Sequence, residues 1–110
     1  MPSLESGLII LELVLVLVAP FRIKYMYYVY YLKSKSSKDN CYVGFTGDLK
    51  KRLARHNAGM VKSTKPYIPW ELVFYEAFAN KADAKRREDY LKTSKGRRAL
   101  KIMLKECLKK

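Results

Sequence analysis

The apolar positions of this chain fall into two periods, and the period changes mark the elements. From Tyr27 to Lys33 they alternate, with Tyr28, Tyr30 and Leu32 on one face and Tyr27, Val29 and Tyr31 on the other. That is the pattern of a strand. Lys33 to Asn40 is a Ser/Lys/Asp/Asn turn, and Cys41 to Thr46 reads as a second strand. So short a connection predicts an antiparallel hairpin. Gly44 inside the second strand marks a position where a side chain would obstruct a neighbour or a ligand.

The period then becomes helical. Asp48 is the predicted N-cap, a helix runs from Leu49 to Asn57, and Ala58-Gly59 stops it. Leu49, Arg52, Leu53 and His56 share one arc of ~100°, the width of a core-facing stripe. Lys50, Lys51 and Arg55 fall outside it. Ala58 to Pro69 reads as a basic surface loop, and Glu71 to Ala77 as a third strand. Asn80 caps a second predicted helix to about Thr93, whose inward stripe is Ala84, Glu88 and Leu91. Gly96 is expected to break it. A last helix, Arg97 to Leu108, sets Leu100, Met103, Leu104, Cys107 and Leu108 against lysines and arginines. The order β-β-α-β-α-α predicts an α+β domain: a small, mainly antiparallel sheet flanked by helices.

Residues 1–25 look foreign to this scheme. Gly7 to Ala19 is a Leu/Val/Ile run broken by Glu12. It falls short of the ~20 residues of a membrane span, and it lacks the basic start of a signal peptide. An apolar packing helix, a poor membrane anchor and an extension upstream of the true start all remain open. Met26 stands just before the first good strand, so the compact domain is expected to span residues 26–110.

Charge narrows the partner. The net charge is +13, and residues 26–110 hold 21 of the 23 basic and 8 of the 10 acidic side chains. Such an excess on a small domain favours nucleic acid or an anionic membrane surface. Two cysteines, without zinc spacing, fit free thiols in a reducing cytoplasm.

Five side chains carry candidate chemistry. A carboxylate on an inward stripe needs a cation, so Glu88 either binds a divalent metal or pairs with an arginine such as Arg52. One carboxylate with waters and phosphate oxygens suits Mg²⁺. Arg52 offers a phosphate clamp or an ion pair. His56, the sole histidine, is either a hydrogen-bonded core residue or a catalyst. Tyr30 and Tyr42 are placed to position a water or take its proton, although Tyr is also an ordinary strand residue.

Taken together, Val29-Tyr30, Tyr42-Val43-Gly44, Arg52 ten residues later, His56 one turn on and a helical Glu88 resemble the GIY-YIG nuclease domain. The likeness covers about Tyr27 to Thr93. It is closest to the small stand-alone bacterial members, through Arg52-Leu53-Ala54-Arg55-His56-Asn57-Ala58-Gly59 and Arg87-Glu88-Asp89-Tyr90. The resemblance implies a three-stranded antiparallel sheet and a metal-dependent endonuclease that hydrolyses DNA, with repair or recombination as its setting. It implies Tyr30, Tyr42, Arg52 and His56 as catalytic residues, and Glu88 as ligand to Mg²⁺ or Mn²⁺. Branched or damaged DNA is the expected partner, and a membrane is not.

Two departures stand out. Tyr28 takes the place of the first motif's glycine, and no asparagine follows Glu88 between Leu91 and Arg98. The second motivates an alternative, a catalytically inactive nucleic-acid-binding module of the same fold. From charge alone, Lys62 and Lys65 in the loop and Arg97, Arg98 and Lys101 on the last helix are the expected DNA contacts.

Overall fold

The computed structural model describes residues 25–109. The apolar run Gly7 to Ala19 therefore lies outside the described residues. The elements are β1 (Tyr27–Ser34), β2 (Cys41–Thr46), α1 (Leu49–Asn57), a 3-10 turn (Lys65–Tyr67), β3 (Trp70–Phe78), α2 (Lys81–Leu91), α3 (Ser94–Met103) and α4 (Lys105–Leu108). The three strands form one antiparallel sheet in the order β2-β1-β3. This is the α+β architecture the pattern predicts.

Burial follows the alternation of β1. Val29 and Tyr31 join Val43, Ala84, Leu91 and Leu100 in one apolar cluster, so α2 and α3 cover that face. Tyr30 and Leu32 join Trp70 in the other, where Leu49 and Leu53 of α1 pack. A strand buried on both faces has no solvent side, which is why β1 is aromatic and aliphatic at nearly every position. The caps form as predicted. Asp48 accepts from the Lys51 amide at 3.1 Å, and Asn80 from the Ala82 amide at 2.8 Å. Gly59, at φ +75°, takes the left-handed turn that ends α1.

Two expectations at the C-terminal end are corrected. Gly96 does not break a helix: α2 ends at Leu91, and Thr93 caps α3 by accepting from the Gly96 amide at 3.1 Å. Glycine is required there for close approach. A Cβ would lie 2.8 Å from the Tyr90 carbonyl carbon and overlap the carbonyl oxygen. The last amphipathic helix is interrupted at Leu104. Of its proposed apolar face, Leu100 is buried and Leu104 and Leu108 pack on the core, whereas Met103 and Cys107 are exposed.

Candidate functional site

Strand β1 delivers Tyr30 to the face covered by α1. Its cross-strand partner on β2 is Gly44. The absence of a side chain there makes room for the phenol: an alanine Cβ would overlap the Tyr30 hydroxyl and lie 2.8 Å from Cε1. Helix α1 brings Arg52 and His56 to the same place, one turn apart on its inward arc. His56 is fully buried and Tyr30 is 1% exposed.

The hydrogen bonds form one chain. Arg52 Nε donates to the Tyr30 hydroxyl at 3.2 Å. The same hydroxyl lies 2.8 Å from His56 Nε2, and His56 Nδ1 lies 2.8 Å from Thr64 Oγ1. Thr64 in turn bonds the Val61 carbonyl at 3.3 Å. Proton counting fixes the directions. A carbonyl only accepts, so Thr64 spends its single proton on Val61. It must then accept from His56, which puts the imidazole proton on Nδ1. Nε2 is left with a lone pair, and Tyr30 donates to it.

Thr64 is a member that the sequence reading missed. It sits in a loop of lysines with nothing to mark it as 1% exposed. The loop is held by Asn57 and Trp70. Asn57 Oδ1 accepts from the Trp70 amide at 2.6 Å, and Asn57 Nδ2 donates to the Trp70 carbonyl at 3.1 Å. The Trp70 indole donates to the Thr64 carbonyl at 2.9 Å. These bonds pin the middle of the loop beside His56.

Tyr42 closes the cluster. Its ring centroid lies 5.0 Å from that of His56 and 6.2 Å from that of Tyr30. It is half-buried, so it is the tyrosine of the pair that meets solvent. The electrostatics follow from burial. Desolvation pushes the Tyr30 phenol up to about 12, although the Arg52 hydrogen bond opposes it. Desolvation, with the Arg52 charge adding, pushes His56 down to about 4. Near neutral pH the imidazole is therefore an unprotonated acceptor. The Tyr30 hydrogen bond holds the Arg52 guanidinium above its ordinary range, against burial, and Tyr42 adds to the effect.

Glu88 lies on the buried stripe of α2 with Ala84 and Leu91, as the helical spacing predicts. Its partner is not Arg52. Lys85 Nζ stands 2.6 Å from Oε1 and Lys92 Nζ 3.2 Å from Oε2, so the Arg52 ion pair is replaced by two lysines. The cause is local, because both lysines sit one turn from Glu88 on its own helical face. Burial pushes the carboxyl up, but the two ammonium groups outweigh it and hold it below the usual carboxylate range. Lys92 Nζ also lies 6.0 Å from the Tyr42 ring centroid, which joins the carboxylate to the tyrosine cluster.

Among the described residues no group of three His, Cys, Asp or Glu side chains gathers to cage a metal. What is present is a single buried carboxylate whose charge is balanced by lysines about half exposed, free to swing into water. That donor set fits a hard cation which keeps most of its own waters.

The basic residues divide. Arg97 and Lys101 line a cleft that Tyr42 and Lys92 also line. Arg98 is exposed but lines no part of it, and Lys62 and Lys65 are exposed in the loop that carries Thr64. No helix among the described residues is long and apolar enough to cross a membrane.

Comparison with known proteins gives a consistent picture. Residues 26–101 match the model of the GIY-YIG catalytic domain. A UPF0213 protein of Clostridium perfringens is 38% identical over 85 residues, covering 76% of this chain and 89% of that protein. One from Staphylococcus haemolyticus is 40% identical over 78 residues, covering 70% of this chain and 93% of the relative. One from Bacillus pumilus is 41% identical over 71 residues, covering 64% and 70% respectively. No solved structure matches the chain.

Proposed function

This chain belongs to the GIY-YIG family of nucleases, and we propose that it is a divalent-metal-dependent endonuclease hydrolysing phosphodiester bonds in DNA. The observation that carries the reading is the convergence of Tyr30, Arg52 and His56 on one hydrogen-bonded cluster, with the Tyr42 ring packed against it and Glu88 tied to it through Lys92. Branched or damaged DNA is the proposed substrate, in repair or recombination, and the cytoplasm is the proposed compartment.

Each side chain has a task in this reading. Glu88 would hold Mg²⁺ or Mn²⁺, with Lys85 and Lys92 moving aside. When bound, the ion supplies positive charge to a phosphate oxygen and to the leaving oxygen. Arg52 offsets the negative charge that develops at phosphorus. Tyr42 faces solvent and orients the attacking water. Tyr30 lies behind it and does not ionise unaided, since burial holds its proton. A proton arriving at the Tyr30 oxygen is matched by one passed to His56 Nε2, so the phenol carries no net charge. Thr64 acts through His56 as a positioning residue, because it fixes the tautomer that can accept.

The test is cleavage of plasmid and branched DNA with Mg²⁺ or Mn²⁺, wild type beside Glu88→Ala. Metal-dependent cleavage that the substitution abolishes is expected. Cleavage that persists in Glu88→Ala would remove the assignment. One observation favours the second reading, an inactive binding module: both oxygens of Glu88 already have ammonium partners. Salt-sensitive binding without cleavage under any metal would select it.

A further inference from the structure

The cleft beside Tyr42 holds two cations, Arg97 and Lys101, that the chemistry above does not use. It has a volume of about 470 Å³, within the ~300–1,000 Å³ range of ligand sites. It runs from the start of β2 to α3, and its charged lining is Lys92, Arg97 and Lys101 against Asp39. Arg97 and Lys101 are one turn apart on α3, which sets their Cβ atoms ~5–6 Å from each other in a row along one face. Tyr42 forms part of the wall, so the cleft opens beside the half-buried tyrosine of the cluster. Resting on the nuclease reading, we propose that this cleft receives the sugar–phosphate backbone of the strand being cut, next to the phosphate at Tyr42.

A row of cations beside a wall that includes Tyr31 and Val43 matches a ligand of repeating negative charge that also carries apolar sugar surface. Nucleic acid is favoured over an acidic peptide because a strand with one phosphate at Tyr42 must continue past it, and the cleft is the basic path that begins there. The assignment also ranks the basic residues. Arg97 and Lys101 carry strand binding, and Arg98 on the same helix does not contribute within the cleft.

The cleft contains its own reporter. Cys41 lines it and is exposed, while Cys107 is exposed on α4 outside it. Both are free thiols. Alkylation of the full chain by iodoacetamide is followed with and without a branched oligonucleotide, at low salt and with EDTA to prevent cleavage. Expected is a tenfold or greater slowing at Cys41 and an unchanged rate at Cys107. The double variant Arg97→Ala/Lys101→Ala should lose about tenfold in affinity, and its salt slope should fall by about 1.4–1.8. Arg98→Ala should keep the protection of Cys41. Polyglutamate protecting Cys41 as well as DNA of equal charge would overturn the choice of ligand. If DNA is bound and cut while Cys41 stays reactive and the double variant keeps its slope, the cleft assignment falls and the nuclease reading stands. If the wild type neither binds nor cuts DNA, both fall.

Discussion

His56 is the only histidine in the chain, so its protonation can be watched alone. In the folded protein its pKa is pushed down to about 4 by burial and by Arg52, from an ordinary 6.5. The unfolded chain therefore takes up a proton near pH 6.5 that the folded chain refuses until about pH 4. Stability is complete above pH 6.5 and is lost as the pH falls through this window. At ~1.4 kcal/mol per unit the full effect is about 3 kcal/mol, with about 2–3 kcal/mol lost by pH 4.5. The depressed carboxyl of Glu88 acts in the same direction from its ordinary value of 4.5 downward, so most of the change between pH 6.5 and 4.5 belongs to the imidazole. Urea unfolding at pH 7 and 4.5 measures the change, and His56→Gln, which has no imidazole to titrate, should lose the slope. Nitrogen NMR of the single ring should find the proton on Nδ1 and a midpoint near 4. A midpoint near 6.5, with stability flat across the window, would refute the picture of a buried neutral acceptor.

Other outcomes follow from the same contacts. Tyr30→Phe leaves His56 Nε2 without its donor, which should cost about 1–3 kcal/mol in urea unfolding and ~10²–10⁴-fold in cleavage rate. Gly44→Ala drives a methyl into the Tyr30 ring. It should cost about 1–3 kcal/mol and shift the His56 titration upward, and an unchanged titration would show that Tyr30 need not be held there. Gly96→Ala sets a helix-propensity gain of about 1 kcal/mol against overlap with the Tyr90 and Leu91 backbone. The overlap, ~1–3 kcal/mol or more, should win, and a raised melting temperature would contradict the close packing.

The three strands, the first two helices with their caps, and the inward stripes of Arg52, His56 and Glu88 were all legible in the chain. Each depends on neighbours within a few residues, where alternation, 3.6-residue spacing and capping chemistry act directly. Contacts between distant segments were not legible. Thr64 becomes a partner of His56 only because Asn57 and Trp70 clamp the intervening loop. Glycine signals either a helix stop or close packing, and only the approach of α2 to α3 decided that Gly96 is the second. The partners of Glu88 were left open for a related reason. Its spacing to Lys85 and Lys92 was written in the sequence, but which cation wins a buried carboxylate depends on where every other cation stands, and folding alone decides that.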